Sequence, residues 1–410
     1  LAGRIAPSYF VTDTERMGAL EGLPGAQLVS RDDFLSQARA GAARESDWSM
    51  DGEEIAILLF TSGTTGAPKA AVIRQKHLVS YVLGSVEFMG AAEEDAALVC
   101  VPPYHIAGMA AIASSVYSGR RVVQLSSFTP ETWIETVRKE NITNAFVVPT
   151  MLVRIIETLE SQGSADFPSL RAISYGGGKM PLPVIQKAME FFPETSFTNA
   201  YGLTETSSTI AILGPDDHRE SAASDDPEVQ RRLTSVGVPL PTLEVMIRDE
   251  DGNVLEPGER GEICVRGEQV SGEYLEKGSL LDEEGWFPTR DGGFIDSGGY
   301  LFIDGRVDDV IVRGGENMSP GEIEDVLLDH SGVRDCAVVG MPDEQWGETV
   351  VAVVVLHEAH ETSEEAIQEW VRDRLRSSRT PSRVGFWDEL PYNETGKLLR
   401  RTVKERLANE

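Results

Sequence analysis

A chain of 410 residues, 41% hydrophobic and 25% charged, has the composition of an ordinary globular protein and is long enough for two or three domains. Its net charge of -30 at pH 7 disfavours nucleic acid and anionic lipid as partners, because both would repel the chain at long range. Cys100, Cys264 and Cys336 are too few and too far apart for a disulfide framework. Since there is also neither an apolar run of membrane-span length nor a signal-peptide pattern, we expect a cytoplasmic protein without a membrane span.

The chain starts at Leu1 rather than at a methionine, and its opening residues are typical of the interior of a domain. We expect part of the natural N-terminal sequence to be missing. Its absence would leave apolar surface of the large domain uncovered.

Two different sequence patterns follow one another in the first three quarters of the chain. Between Ile55 and about Phe197, short apolar runs (AILLF, ALVCVPP, RVVQL, NAFVVPT, RAISYGG) alternate with amphipathic segments, which predicts parallel strands joined by crossover helices. From about Ser235 to Asp304, turn signals such as DEDGN and EPGERGE separate the strands and predict a small antiparallel β unit. We therefore predict a large α/β domain over residues 1–305, with residues 235–304 as its β-rich part.

The sequence pattern changes again at residues 305–309, where we place a domain boundary. Ser319, Pro320 and Glu322 form a capping-box pattern that predicts a helix running through Leu328. The strands DCAVVGMPD and ETVVAVVVL, an acidic helix, the strand VGFWDEL and a basic final helix follow. Residues 306–410 are therefore predicted to form a small α+β C-terminal domain.

The stretch LLFTSGTTGAPKAAV joins two apolar segments by a loop rich in hydroxyls and glycine. Its hydroxyls can donate hydrogen bonds, its glycines let backbone amides approach a ligand, and its lysine adds a fixed charge, so the loop is suited to polyphosphate. The glycine spacing differs from that of the Walker loop, and a plain polar turn between two strands is the alternative interpretation. The loop residues concerned are Thr61, Ser62, Gly63, Thr64, Thr65, Gly66 and Lys69.

Other segments carry candidate binding residues. NAYGLTETS offers an aromatic face in Tyr201, a hydroxyl in Thr204 and a hard oxygen ligand for magnesium in Glu205. Asp291 in PTRDGG and Arg306 in DGRVDD suit hydroxyls and phosphate. Taken singly, each has a structural alternative: a core tyrosine, a solvated carboxylate or a surface charge. The remaining segments are PPYHIAGM with His105, AISYGGGKMP with Gly176, Gly177 and Gly178, and LPYNETGKLLR with Lys397.

Together and in this order, the segments resemble the adenylate-forming superfamily, which includes acyl-CoA synthetases, aryl-CoA ligases and peptide-synthetase adenylation domains. The strings TSGTTGAPK, YGLTET, GRVDDVI, GGEN and NETGK carry the resemblance, which covers the chain from Ile55 to Leu407. It implies an ATP-dependent acid:CoA ligase that forms an acyl-AMP intermediate and then a thioester. Its cofactors would be ATP, Mg²⁺ and coenzyme A, its partner a small-molecule carboxylic acid, and a homodimer stays open.

The resemblance also implies roles for residues. ATP or AMP would be bound by the phosphate loop and by Gly176, Gly177, Gly178, Asn199, Tyr201, Gly202, Asp291 and Arg306. Lys397, Glu205, Thr204 and His105 would act in catalysis, with Glu205 on the metal, Asp308 as hinge, and Gly314, Gly315, Glu316 and Asn317 facing CoA. The acyl pocket would be lined by His105, Gly108, Met109, Val148, Met151, Tyr175 and Leu203.

Three departures from the family pattern stand out. Ala70 follows the loop lysine where glycine is usual, and Arg290 replaces the glycine of the threonine-glycine-aspartate motif. Intact relatives also carry a substantial segment ahead of the phosphate loop, most of which is absent here. The alternatives to a CoA ligase are an acyl-AMP ligase that loads a carrier protein and a non-catalytic nucleotide-binding remnant.

The mostly apolar pocket set contains no lysine or arginine that could pair a second carboxylate. This favours a fatty or aryl monocarboxylic acid over malonate.

Overall fold

The computed structural model describes residues 9–20, 22, 27–41, 49–61, 69–163, 166–358, 360–393 and 396–410. Two compact units divide the chain, one within residues 1–51 and the other within residues 52–410. In the first unit, two strands pair in parallel and each is followed by a helix. These elements are β1 (Tyr9–Thr12), α1 (Thr14–Met17), β2 (Gln27–Ser30) and α2 (Arg31–Ala40).

The second unit begins with alternating strands and helices. Helix starts here follow local chemistry: Thr129 accepts a hydrogen bond from the Thr132 amide, and prolines occupy the first helical turn at Pro130 and Pro149. The elements are β3 (Ile55–Thr61), β4 (Lys69–Arg74), α3 (Gln75–Ser85), β5 (Ala96–Val99), α4 (Ile106–Ser118), β6 (Arg121–Gln124), α5 (Pro130–Lys139), β7 (Asn144–Val147), α6 (Pro149–Gln162), β8 (Ala172–Gly176), α7 (Leu182–Phe191), β9 (Ser196–Leu203), β10 (Ser208–Leu213), α8 (Pro215–Ala223), α9 (Pro227–Arg231) and β11 (Val238–Pro239).

A seven-stranded sheet forms the main layer, with strand order β11-β10-β9-β8-β7-β5-β6. The strands from β9 to β6 run parallel, whereas β10 and β11 are antiparallel additions. Trp133, Leu152, Ile155 and Ile173 are fully buried in the core beside this sheet. The predicted α/β class with parallel strands is confirmed.

One detail of that prediction is wrong. The run AILLF lies in β3, which pairs antiparallel with β4 in a separate four-stranded sheet completed by β14 (Glu273–Tyr274) and β15 (Gly278–Ser279), not in the parallel sheet. A short apolar run carries no signal of the direction of its partner strand, so periodicity alone could not separate the two cases.

The rest of the chain is built on antiparallel sheets. One has the order β12 (Glu244–Arg248), β13 (Gly261–Arg266), β16 (Phe287–Ile295) and β17 (Leu301–Arg306). The other has the order β19 (Glu316–Met318), β18 (Ile311–Arg313), β21 (Gly347–Leu356) and β20 (Val333–Asp343), with β22 (Arg383–Phe386) added in parallel to β21. The boundary between residues 305 and 306 stays a prediction. The elements are β12 (Glu244–Arg248), β13 (Gly261–Arg266), β14 (Glu273–Tyr274), β15 (Gly278–Ser279), β16 (Phe287–Ile295), β17 (Leu301–Arg306), β18 (Ile311–Arg313), β19 (Glu316–Met318), α10 (Pro320–Leu328), β20 (Val333–Asp343), β21 (Gly347–Leu356), α11 (Glu364–Arg372), β22 (Arg383–Phe386) and α12 (Arg400–Leu407).

The helix expected after Ser319 is α10, and it ends at Leu328 as expected. Its capping box is not formed, however. The Ser319 hydroxyl accepts from the Gly321 amide at 3.2 Å, but the Glu322 carboxylate is taken by Arg379 at 2.8 Å. A charge-assisted partner from a distant segment therefore replaces the local backbone donor.

The C-terminal sheet is fastened to its helices by a buried ion pair. Arg400, the first residue of α12, donates from Nη1 and Nη2 to the Glu324 carboxylate on α10 at 2.5 and 2.8 Å. Arg400 Nη1 also donates to the Val338 carbonyl at 2.8 Å, while Asp309 lies 3.4 Å from Nε. Burial opposes the charge, yet Glu324 raises the pKa of Arg400 above its ordinary value.

We expect Glu324→Ala to lower the free energy of unfolding by about 3 kcal/mol, because it leaves a buried guanidinium without its main carboxylate. The retained Asp309 keeps the loss at the lower end of the usual range. Glu405→Ala, which removes the exposed partner of Arg401, is the matched control and should change stability little. Equal losses in urea unfolding of the two variants would contradict the assignment of this pair as an anchor.

Candidate active site

A buried carboxylate joins the two large sheets. Asp291 on β16 is 6% exposed, and its Oδ2 accepts a hydrogen bond from the Tyr201 hydroxyl on β9 at 2.7 Å. Its Oδ1 accepts from Arg306 Nη1 at 2.8 Å, since Asp291 and Arg306 face each other in the register of β16 and β17. Three residues singled out separately in the sequence are thus in direct contact.

The charges of this group reinforce one another. Burial opposes the charge of Arg306, but Asp291, with contributions from Tyr201 and Glu205, raises its pKa. Burial and the neighbouring Asp291 charge raise the pKa of Tyr201 well above its usual value, so its hydroxyl keeps its proton. The group therefore offers a fixed carboxylate and a fixed guanidinium, which is chemistry suited to sugar hydroxyls and phosphate.

Glu205 lies in a one-turn 3-10 helix formed by Thr204–Thr206, directly after β9. Its carbonyl accepts from the Ser271 amide at 2.8 Å and the Gly272 amide at 3.1 Å, which fixes the turn. Its carboxylate accepts a hydrogen bond from the Tyr274 hydroxyl. The turn therefore presents a carboxylate of defined orientation.

Tyr274 was not among the residues predicted from the sequence. It lies on β14, which pairs antiparallel with β4, and this pairing brings its ring to 5.9 Å from the Lys69 ammonium. Tyr274 thus connects the predicted metal ligand to the predicted phosphate lysine. No local pattern in GEYLEK marks it, because the contact depends on strand pairing across about 200 residues of chain.

Ser62, Gly63, Thr64, Thr65 and Gly66 lie outside the described residues, and the side chain of Thr61 is also not described. The segments that bound this loop are described: Thr61 pairs with Lys69 where β3 and β4 meet. The loop therefore connects an antiparallel strand pair, and Lys69 begins the second strand.

The turn that carries Lys397 lies against the junction of β7 and α6 and beside the glycines that follow β8. A side chain at Gly396 would begin 2.7 Å from Thr150 Oγ1 and 3.1 Å from Val148 Cγ2, which leaves no room for one. Val148 also faces Gly177, where a Cβ would lie 3.6 Å from its Cγ1, and a Cβ at Gly178 would lie 3.7 Å from the Gly396 carbonyl. The lysine turn, the glycines after β8 and one predicted pocket residue are therefore brought together.

The other predicted pocket residues differ in position. His105 precedes α4 as its N-cap residue, with Gly108 and Met109 in the first turns of that helix. Tyr175 is fully buried, and its hydroxyl lies 2.9 Å from His218 Nε2. Met151 lies in the same core as Tyr175, whereas Leu203 packs against the core of the antiparallel sheet. Their contact with an acid stays a prediction.

Asn199, Gly176 and Gly202 have evident structural roles. The Asn199 amide donates to the Ser235 carbonyl at 3.1 Å. A Cβ at Gly202 would lie 1.6 Å from the Ser208 carbonyl oxygen, and one at Gly176 would lie 2.2 Å from that of Ala200, so close backbone approach requires glycine at both positions. A role of these residues in nucleotide binding stays a prediction.

Asp308, the predicted hinge, lies in the one-turn helix Val307–Asp309 between β17 and β18. Its carboxylate pairs with Arg290 at 2.5 Å. Arg290 has a left-handed backbone with φ of 63°, which explains why glycine is the usual residue of the family pattern at this position. The substitution is accommodated at some conformational cost, and the Arg290 side chain gains an ion pair with Asp308, two residues after β17.

The predicted CoA face is partly engaged in other contacts. The Asn317 amide donates to Glu250 at 2.8 Å, and Glu316 pairs with Arg379. Gly314 and Gly315 have positive φ angles of 59° and 84°. Whether this face meets CoA stays a prediction.

Magnesium fits the chemistry of this site. No group of three or more histidine, cysteine, aspartate or glutamate side chains suited to a metal occurs in the described part of the chain. A single carboxylate such as Glu205 suits magnesium, which keeps several water ligands and takes further oxygens from substrate phosphates.

Cys100, Cys264 and Cys336 are buried and unbridged, and burial raises the pKa of Cys100 to about 12, so that thiol stays protonated.

Residues 9–275 match the AMP-binding enzyme family, and residues 322–397 match the AMP-binding enzyme C-terminal domain. The chain belongs to the AMP-binding enzyme family. It is 34% identical over 391 residues to the 2-succinylbenzoate–CoA ligase of Bacillus subtilis, covering 94% of this chain and 75% of that relative. A fatty acid–[acyl-carrier-protein] ligase of Streptomyces coeruleorubidus, ScoC, is 34% identical over 355 residues, which cover 85% of this chain and 66% of ScoC.

Solved structures agree with this assignment. The o-succinylbenzoate CoA synthetase of B. subtilis in complex with the acyl-adenylate OSB-AMP superposes with a TM-score of 0.81 at 31% identity, covering 97% of this chain and 78% of that one. The same enzyme has been solved with ATP and a magnesium ion. The predicted superfamily, the class of AMP-forming acid–CoA ligase acting through an acyl-adenylate, and the cofactors ATP, Mg²⁺ and CoA are confirmed.

No helix among the described residues is long and apolar enough to cross a membrane.

We expect Glu205→Gln to raise the magnesium concentration that half-saturates acyl-AMP formation, because a carboxamide lacks the charge a hard cation prefers. Tyr274→Phe keeps the ring near Lys69 but removes the hydroxyl that orients Glu205, and it should shift the same titration in the same direction by less. The readout is pyrophosphate release against magnesium at fixed ATP. If both variants showed the same magnesium dependence of pyrophosphate release as the wild-type protein, this role of Glu205 would be excluded.

Proposed function

We propose that the chain activates a fatty or aryl carboxylic acid, with the described residues around Asp291, Glu205 and Lys397 as its nucleotide and adenylation site. The observation that carries the proposal is that Tyr201, which binds Asp291 of the Asp291–Arg306 pair, lies on β9 directly before the Glu205 turn. The Gly396–Lys397 turn lies beside Gly178, which follows the neighbouring strand β8. The assembly of these features is difficult to explain by packing alone, because two of them bury or orient charge.

In this proposal, Asp291 accepts hydrogen bonds from the ribose hydroxyls, and Arg306, which donates to Asp291 Oδ1 at 2.8 Å, holds the carboxylate in position. Lys69 and the loop before it neutralise the outer phosphates, and bound magnesium would supply further charge neutralisation beside Glu205. Lys397 then stabilises the charge that develops as the acid carboxylate attacks the α-phosphorus and pyrophosphate leaves. The protein's part is positioning and electrostatics more than proton transfer.

The acid is proposed to bind beside Val148 and Met151, which share one core, with Met109 contributed by α4. These side chains are apolar, and Val148 is in van der Waals range of the Lys397 turn. The set predicted to line the pocket holds no lysine or arginine, which supports a monocarboxylic acid. A cytoplasmic location, with CoA rather than a carrier protein as acceptor, completes the proposal.

An acid panel tests this function. We expect AMP formation with benzoate-type or fatty monocarboxylic acids, and thioester release only when CoA is added. The panel should include 2-succinylbenzoate and malonate as dicarboxylic acids, because a preference for either would contradict a pocket without a second cation. Acyl transfer to a carrier protein but not to CoA would show that the acceptor is a carrier protein. If no acid led to AMP formation, the chain would instead be a non-catalytic nucleotide-binding remnant.

We expect Lys397→Ala to slow acyl-AMP formation by roughly 100-fold, the scale of losing one preorganised electrostatic contact. Thioester formation from supplied acyl-AMP should be retained, because no pyrophosphate then leaves. Lys404→Ala, a lysine on the following helix, is the control. If Lys397→Ala slowed both half-reactions alike, a general structural effect would be the better explanation.

A further inference from the structure

The turn that carries Lys397 is closed by its own backbone and one amide side chain. Asn393 N donates to the Lys397 carbonyl at 3.0 Å, and Lys397 N donates to Asn393 Oδ1 at 2.8 Å. Gly396, with a φ of 72°, reverses the chain, and Tyr392 pairs with Leu398 across the two arms. These bonds hold the two arms together, so an anchor on either arm also restrains the backbone of Lys397.

Each arm is held by a different side-chain anchor. The outgoing arm is held three residues after Lys397 by Arg400, which is bound to Glu324 and to the Val338 carbonyl. The incoming arm is held by Tyr392, whose hydroxyl lies 3.1 Å from Asp335 Oδ1 and 3.0 Å from Asp335 Oδ2. The contact between Tyr392 and Asp335 is thus a side-chain anchor of the incoming arm.

Asp335 is itself rigidly placed. It lies at the start of β20, beside a register irregularity between Val333 and Asp335, and its Oδ1 accepts from the Cys336 amide at 2.9 Å. The neighbouring cation, Arg334, donates its Nη2 to the Asp388 carbonyl at 3.1 Å rather than forming an ion pair with Asp335. Burial raises the pKa of Asp335 to about 6, so its carboxylate is ionised at neutral pH and is a strong acceptor for the tyrosine hydroxyl.

The incoming arm and the tip of the Lys397 turn contact different parts of the chain. Gly396 is against Thr150 and Val148, while Tyr392 reaches back to β20. A change at Asp335 therefore alters how far the turn projects toward the nucleotide site. Displacements of about 1 Å at a reacting group cost on the order of 100-fold in rate, so a fixed projection matters for adenylation.

We propose that Asp335 and Tyr392 are positioning residues for adenylation, which act by fixing the incoming arm of the Lys397 turn. The inference rests on the proposed role of Lys397. Neither residue touches the substrate. Their effect is confined to the half-reaction in which the lysine is used.

The test measures acyl-AMP formation and, separately, thioester formation from supplied acyl-AMP. Tyr392→Phe and Asp335→Asn should each slow the first by about tenfold, the scale of one hydrogen bond to a charged group, and leave the second within about twofold. The matched control is Tyr300→Phe, which removes a 2.7 Å tyrosine–aspartate hydrogen bond to Asp217, away from the turn. It should change neither rate.

A double variant separates positioning from a general loss of structure. If Tyr392 acts through the lysine, then Tyr392→Phe should slow adenylation no further in a Lys397→Ala background. Additive losses, equal slowing of both half-reactions, or wild-type adenylation in Tyr392→Phe would each overturn the proposal. Tyr392→Phe deletes a single hydroxyl, so it remains informative if Asp335→Asn fails to fold.

The outcomes also distinguish this inference from the function on which it rests. If Lys397→Ala itself leaves adenylation intact, the proposed role of the lysine fails, and the positioning role fails with it. If Lys397→Ala slows adenylation but Tyr392→Phe does not, the function stands and only the positioning role is lost.

Discussion

The need to pair one buried carboxylate organises the large part of this molecule. A carboxyl group that is 6% exposed would be strongly unfavourable without hydrogen-bond partners, and Asp291 has two, Tyr201 and Arg306. Tyr201 belongs to the seven-stranded sheet, whereas Asp291 and Arg306 belong to the antiparallel sheet. Asp291 can therefore contact both partners only when the two sheets are correctly placed against each other. The arrangement that satisfies the buried carboxylate is thus the same one that assembles the site.

Backbone strain accompanies the same region. Ser207 and Ser208 follow the Glu205 turn with φ angles of 55° and 113°, and Arg290 precedes Asp291 with a φ of 63°. Left-handed conformations of residues other than glycine cost on the order of 1 kcal/mol or more, and they persist where the surroundings impose them. Here the surroundings are the anchored Glu205 carbonyl on one side and the paired Asp291 on the other. The strained backbone positions thus lie beside Glu205 and Asp291, the two carboxylates of the proposed nucleotide site.

The sequence could predict those features that rest on local chemistry. The helix after Ser319, the alternation of strands and helices, and the individual residues Asp291, Arg306 and Glu205 all follow from short patterns. The antiparallel pairing of AILLF, the role of Tyr274 and the anchor between Tyr392 and Asp335 do not, because each depends on a partner far away in the chain. Glu322 is an intermediate case: its helix was predictable, but Arg379 competes successfully for its carboxylate.

The contacts between the C-terminal sheet region and the rest of this unit differ in kind from those within it. Lys179 pairs with Asp325 and Arg290 pairs with Asp308, and all four side chains are at least 35% exposed. Exposed pairs of this type contribute less than about 1 kcal/mol each. Within the C-terminal region, by contrast, the bidentate pair of Arg400 and Glu324 is 18% and 9% exposed, so separating it is more costly.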